Sequence, residues 1–181
     1  MDIISFLKVS ARDRHVGAVM PSSRYAVRKI MTLVPERLHR VLEYGPGDGV
    51  ITTRLLERLD SDGTLLAVEA NPEFVRTLAD IKDQRFKLVA GNATEAAKHA
   101  AASGLDWFDL VISGIPFSQL SRAQRREMTE MTYARLRPGG IFLVYQTTPL
   151  MVPHLKRRFA VRTSLELRNI PPYFIMQAVK K

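Results

Sequence analysis

The 181-residue chain contains no cysteine and a single tryptophan. Without cysteine there can be no disulfide, thiolate nucleophile, iron–sulfur ligation or cysteine-based zinc site. The four histidines, His15, His39, His99 and His154, are scattered without metal-ligand spacing, so no metal is expected. No apolar run approaches the roughly 20 residues needed to cross a bilayer. The stretch Met1-Asp2-Ile3-Ile4-Ser5-Phe6-Leu7-Lys8 lacks a basic region followed by a long apolar core, so no cleaved signal peptide is expected. A cytoplasmic location is the default expectation, with peripheral attachment to the inner face of the membrane as its variant.

Acids are scarce beside bases: 27 Lys and Arg face 18 Asp and Glu, a net charge of +9. The excess sits at the ends. Residues 1–30 carry six Lys/Arg against two acids, and residues 154–181 carry seven against one. Such ends point to an anionic partner, either nucleic acid or a membrane surface, or else to a solvated basic face that serves solubility. Hydrophobic residues make up 46% and charged residues 25%, the balance of a globular chain of one domain over residues 1–181.

Short β-like runs alternate with helical stretches. Strands are expected at 41–45, 64–69, 86–90, 108–113 and 140–146, followed by an adjacent pair at 160–167 and 173–179. Continuous apolar runs such as Asp109-Leu110-Val111-Ile112 suit strands covered on both faces. Helix starts are marked by Asn71-Pro72-Glu73 and by the capping box Ser121-Arg122-Ala123-Gln124, whose helix should run to about Leu136 before Pro138-Gly139-Gly140 stops it. The pattern predicts an α/β fold: a doubly wound, mostly parallel seven-stranded sheet with an antiparallel C-terminal edge hairpin. In residues 1–14, Ile3, Ile4, Leu7 and Ala11 share one side of a helical wheel while Lys8 and Arg12 form a basic stripe. That helix would lie at a membrane interface or pack over the core edge.

Chemistry concentrates at Val41-Leu42-Glu43-Tyr44-Gly45-Pro46-Gly47-Asp48-Gly49-Val50, a strand, a glycine-rich turn, then a helix through Ile51, Leu55, Leu56 and Leu59. In open α/β sheets ligands bind at the carboxyl ends of strands, which makes Gly45, Gly47 and Gly49 the cradle. A dinucleotide fingerprint would need glycine at position 50, where Val50 stands, and Glu43 would sit badly beside a pyrophosphate. A cationic, phosphate-free ligand fits better, and S-adenosylmethionine (SAM) has an ammonium and a sulfonium. Strand Leu65-Leu66-Ala67-Val68 ends in Glu69, placed to accept ribose hydroxyls, although such an acid taken alone is more often a surface residue. Asn92 and Ala93, after the third strand, are candidates for the adenine edge and pocket wall.

This run of motifs resembles the class I SAM-dependent methyltransferases, in the branch around ribosomal RNA adenine dimethyltransferases and bacterial phospholipid N-methyltransferases. Val16-Gly17-Ala18-Val19-Met20-Pro21-Ser22-Ser23-Arg24, which leads into a helix expected through Val27, Ile30, Met31 and Val34, is similar to the G-A-x-x-P-S-S segment that closes over SAM in the phospholipid enzymes, which implies cofactor contacts at Met20, Ser22 and Ser23. The resemblance also implies contacts at Tyr44, Ala70 and Ser113. At the end of the fourth strand, Ser113-Gly114-Ile115-Pro116-Phe117 resembles the S-G-[LI]-P of the phospholipid family, whereas the adenine enzymes carry Asn where Gly114 stands. Asn169-Ile170-Pro171-Pro172-Tyr173-Phe174 also looks like the phospholipid family.

The implied activity is methylation of an ethanolamine phospholipid amine. Backbone carbonyls of residues 113–115 would orient it, Phe117 would face the developing charge, and Tyr25, Tyr145 and Tyr173 are candidates for contacting it. Docking would draw on Lys8, Arg12, Arg14 and the arginines of 122–126 at an anionic membrane. The alternatives are an RNA or DNA base methyltransferase, opposed by Gly114 and by the expected lack of an RNA-holding helical domain, and a non-catalytic SAM-fold binding protein.

Overall fold

The structure, a computed structural model, describes residues 22–181. The expected helix of residues 1–14 and the part of the closing segment that holds Met20 lie outside the described residues. In chain order the elements are α1 (Arg24–Met31), β1 (Leu38–Tyr44), α2 (Val50–Leu56), β2 (Leu59–Glu69), α3 (Pro72–Leu78) and β3 (Phe86–Ala90). A 3-10 turn (Ala93–Glu95), α4 (Ala96–Ala102), β4 (Phe108–Ser113) and a second 3-10 turn (Phe117–Gln119) follow. The chain continues through α5 (Arg122–Arg135), β5 (Leu136–Gln146), α6 (Val152–Leu155), β6 (Phe159–Glu166) and β7 (Tyr173–Lys180).

The seven strands form one sheet in the order β3-β2-β1-β4-β5-β7-β6. β1 to β5 run parallel, and β7 lies antiparallel between β5 and β6. Strand order reverses between β1 and β4, so their carboxyl ends border the crevice where a doubly wound sheet takes its ligand. Helices cover both faces. Val41, Leu65, Ala67 and Ile112 pack with Ile30 of α1 and with Ile51 and Leu55 of α2. Leu42, Leu66, Val111 and Val144 pack with Ala96 of α4, Met128 of α5 and Leu155 of α6. Burial on both faces is why all six β4 residues are buried and why its middle, Leu110-Val111-Ile112, reads as an unbroken apolar run.

Local chemistry sets the helix starts. Asn71 Oδ1 accepts from the Glu73 N–H at 2.8 Å, and Pro72 opens α3. Ser121 and Gln124 form the reciprocal capping box, with Gln124 Oε1 accepting from the Ser121 N–H at 2.9 Å. Asp109 fastens the amino end of the sheet. Its Oδ2 accepts from the His39 and Arg40 N–H groups at 2.9 and 2.8 Å, while its Oδ1 pairs with Arg137.

Several boundaries differ from expectation, and β1 begins at Leu38 rather than at residue 41. The helix after the glycine turn stops at Leu56, and Leu59 already pairs with Leu38 as the first residue of β2. Helix α1 ends at Met31, leaving Val34 buried beyond it. Strand β5 starts at Leu136, before the proline and glycines. The β4–β5 register shifts between Phe108 and Leu110, so the extra residues 137–140 bulge from the ladder, with Gly139 at φ 74°.

Candidate active site

The turn after β1 is made by three glycines, Gly45, Gly47 and Gly49, at φ 66°, 60° and 79°. At Gly45 a side chain is excluded twice over, by its left-handed backbone and because a Cβ would come within 2.6 Å of Ile115 Cγ2. Above Gly47, by contrast, a Cβ would meet nothing within 4 Å, so the middle of the turn opens onto free space.

Beneath the turn lies Glu43, only 1% exposed. Its Oε2 accepts from the Thr52 hydroxyl at 2.8 Å, and its Oε1 is buried with no hydrogen-bond partner. Burial pushes its pKa up to about 8, against the pull of the Thr52 bond, and Glu69 and Asp48 add like charge. Burial also raises Asp48. Three carboxylates around one open turn, one of them incompletely paired, form a site for a cation and disfavour a phosphate.

Glu69, at the end of β2, is already held in place. Its Oε2 accepts from the Gly47 N–H at 3.0 Å and its Oε1 from the Asn71 N–H at 2.8 Å. These bonds tie β2 to the glycine turn and aim a carboxylate, which has about four acceptor positions, along the crevice. Ala70 beside it is exposed. Asn92 is exposed and its Oδ1 caps the 3-10 turn, accepting from the Thr94 N–H and hydroxyl at 2.9 Å each; Ala93 is buried. The capping oxygen is therefore committed, and an adenine contact by Asn92 would have to use its amide nitrogen. His99 Nε2, buried without a partner, faces Gly91 in the same corner.

Parity decides what the end of β4 offers. Val111 faces the α4–α6 layer, and Ser113, two residues on, faces the same way. Ser113 Oγ is buried and unpartnered there. Tyr44 lies in that layer too, its hydroxyl 3.1 Å from Thr132 Oγ1 and its ring edge-on to Phe142. Tyr44 therefore reaches the crevice only through its carbonyl, which accepts from the Gly114 N–H at 3.2 Å. Phe117 corrects an expectation more sharply. Its ring is 0% exposed inside the α4–α6 core, so it cannot face a substrate cation; its N–H donates to Gln146 Oε1 at 3.2 Å. Gly114, Ile115 and Pro116 remain half-buried at the rim.

The aromatic group that does face position 114 is Tyr145, on the α1–α2 side of the sheet. A Cβ on Gly114 would lie within 2.6 Å of Tyr145 Cζ, and closer still to its hydroxyl. Gly114 is thus required by the tyrosine that fills the space of its side chain. Burial, followed by the charges of Glu43, Tyr173, Asp48 and Glu69, drives the Tyr145 pKa well above its ordinary value, so the hydroxyl stays neutral. Tyr173 packs on it with ring centroids 5.8 Å apart.

Ser22 and Ser23 stand where α1 meets the β6–β7 loop. Ser23 caps α1 by accepting from the Ala26 N–H, and its own N–H donates to Asn169 Oδ1 at 2.8 Å. Tyr173 is hydrogen-bonded to the side chains of Ser22 and Asn169. Asn169, 1% exposed, completes the clasp by donating to the Pro171 carbonyl at 2.7 Å. Tyr25 is differently engaged. Arg24 and Arg168 lie over its ring at 4.9 and 4.6 Å, and Arg24 donates to its hydroxyl at 2.8 Å, so its aromatic surface already holds cations. The sequence alone assigns no role to Thr52, Asp48 or Asn169, although Asp48 and Asn169 lie in motifs that stand out in it, because each is an ordinary residue until the fold sets it against the crevice.

An ornithine lipid N-methyltransferase from Singulisphaera acidiphila is 28% identical over 162 residues, covering 87% of this chain and 84% of the relative. Among solved structures, the N-methyltransferase NodS from Bradyrhizobium japonicum, in complex with S-adenosyl-L-homocysteine (SAH), superposes with a TM-score of 0.71 at 11% identity, covering 98% of this chain and 97% of that one. An O-methyltransferase from Bacillus cereus, in complex with SAH, gives a TM-score of 0.72 at 16% identity, covering 99% and 90%. The methyltransferase domain family matches residues 42–142, from within β1 through the glycine turn to β5 and over more than half of the chain, and the protein belongs to that family.

Proposed function

We propose that this methyltransferase uses SAM to methylate the amine of a polar-lipid headgroup, with an ethanolamine phospholipid as the first substrate to test. The observation that carries the substrate half is the Tyr145 hydroxyl in the space of a side chain at position 114. It gives the rim a neutral oxygen and backbone carbonyls in place of a planar amide. Such acceptors suit a flexible primary or secondary amine, whereas a base amine edge would lose a buried partner worth about 1–3 kcal/mol. The lipid N-methyltransferase relative at 28% identity supports the same direction.

For the cofactor half, the unpaired Glu43 oxygen and the open space at Gly47 fit an ammonium-bearing ligand without phosphate. When bound there, SAM supplies a methyl group on a positively charged sulfur, which the amine lone pair takes as the carbon–sulfur bond breaks toward sulfur. Glu43 serves as the counter-charge under the turn. Glu69, aimed by Gly47 and Asn71, is the ribose acceptor. Ala93 and the Asn92 amide border the adenine, and Met20, Ser22 and Ser23 belong to the closing segment. Tyr145 accepts a hydrogen bond from the amine and turns its lone pair toward the methyl group. Its raised pKa excludes it as the base, so the amine proton leaves to water or to the lipid phosphate. Holding the reacting atoms in line in a dry crevice is the main source of rate.

A base-methylating enzyme is the second reading, favoured by the net charge of +9. Mass spectrometry after incubation with SAM decides. Mono-, di- or trimethylated products from an ethanolamine phospholipid or an ornithine lipid support the proposal, and methylated RNA with unmodified lipids refutes it.

A further inference from the structure

We infer that the β6–β7 loop is a membrane-docking tip that seats the crevice rim on an anionic bilayer. The proposal gains its purpose from the lipid-amine reading above, but its evidence is separate.

Among the described residues five large hydrophobics are exposed, and three of them fall within six positions: Leu165 at 47%, Leu167 at 68% and Ile170 at 79%. Their location is fixed by register. Glu166 pairs with Tyr173, and Phe174 pairs with Gln146, the last residue of β5. The loop therefore projects from the carboxyl end of the parallel strands, the same rim that carries the glycine turn. It is also anchored. Asn169, buried beneath it, accepts from the Ser23 N–H and donates to the Pro171 carbonyl, so the aliphatic side chains on either side are held outward.

Cations flank the tip. Arg24 begins α1 immediately after Ser23, and Arg28 follows one turn later; both line a cleft of about 610 Å³ with Ser22. On the other helical layer, α5 starts at this rim after β4, bringing Arg122 and Arg125 beside His154, whose pKa is lowered by burial and then by those two guanidiniums. The acid nearest the tip, Glu166, is paired with Arg168. Two aliphatic side chains between basic flanks complement an interface that is anionic at the headgroups and apolar just beneath. A solvated loop gains nothing from Leu167 and Ile170, and a polyanion would use the arginines without needing either.

The test uses the full chain with vesicles of equal parts phosphatidylethanolamine and phosphatidylglycerol, and phosphatidylcholine vesicles for comparison. Wild-type protein should bind the anionic vesicles more tightly, and salt should weaken the binding. The double variant Leu167→Ser/Ile170→Ser should bind them about tenfold or more weakly with its melting temperature unchanged. A tryptophan placed by Ile170→Trp should shift its emission to the blue on vesicle addition. Trp107, which lies just ahead of β4 at the opposite end of the sheet, should not. Absent vesicle binding, unchanged affinity in the double variant, or a bound protein with no shift from the Ile170→Trp probe each overturns the proposal.

Methylation of a short-chain ethanolamine phospholipid dispersed as monomers separates the two readings. If it occurs while vesicle binding ignores the tip, docking fails alone. If tip-dependent binding occurs with no lipid methylated, the substrate reading fails alone.

Discussion

Glu43 allows a quantitative test of the cofactor site. With its pKa at about 8, the carboxyl of the ligand-free protein is about nine-tenths protonated at pH 7. A ligand cation about 5 Å away, in an effective dielectric near 20, attracts the anion by about 3 kcal/mol, roughly two and a half pKa units. Binding of SAM at pH 7 should therefore release about 0.9 proton, and log Ka should climb by nearly one per pH unit between about pH 6 and 7.5. From about pH 9 Glu43 is mostly ionised before as well as after binding, and the ligand's own α-amino group loses its proton from about pH 8 upward, so the gain ends.

Glu43→Gln removes the titrating group. The slope should vanish, and affinity at pH 7.5 should fall on the order of 50-fold, the attraction less the small remaining work of ionising the carboxyl. Isothermal titration calorimetry in two buffers of different ionisation enthalpy reads both quantities. The linked effect on stability has a definite sign. Because the folded-state pKa is raised from the ordinary 4.5, its stabilising contribution is complete below about that pH and is lost as pH rises toward 8. SAM should consequently raise the melting temperature more at pH 8 than at pH 6. A proton release near zero in the wild type, or a slope that survives in the Gln variant, would refute the assignment of Glu43 as counter-charge.

Three further outcomes are expected. Gly114→Ala forces its methyl group into the Tyr145 ring and should lower kcat with about 1–3 kcal/mol of lost stability, and adding Tyr145→Leu, which removes the clashing ring atoms, should recover more stability than activity, as read by melting and single-turnover methylation. Ser121→Ala deletes the acceptor half of the α5 capping box and should destabilise the fold by about 1 kcal/mol in urea titration while leaving SAM affinity unchanged. Asp109→Ala strands the His39 and Arg40 N–H groups and should cost about 1–3 kcal/mol, again without altering cofactor affinity, since Asp109 lies at the far end of β4 from the crevice.

Much of the fold was legible because local physics and tertiary context agree. The strand at 108–113 could be placed from the apolar run Leu110-Val111-Ile112, because a strand covered on both faces needs no polar alternation. Asn71-Pro72 and Ser121-Gln124 marked helix starts because their side chains satisfy backbone groups within three residues. The ends were harder. Leu59 fits a helical periodicity as well as a strand, and its pairing with Leu38 was settled by a neighbour 21 positions away. Leu136 preceded a proline that reads as a stop, yet the strand begins there because a bulge absorbs Pro138 and Gly139.

What the sequence by itself determined was the crevice: a glycine turn with an acid before it, at the end of the first strand, and a second acid closing the next. These are short-range facts, set by backbone conformations and charges that neighbours in the chain impose. Only the tertiary structure decided which side chains look into that crevice. Phe117 and Tyr145 are both aromatic residues near strand ends, and sequence alone makes the former the obvious partner for a cation. Sheet parity and helix packing send Phe117 into the α4–α6 core and bring Tyr145 against Gly114, because the face a residue points to depends on its register with strands far away in the chain.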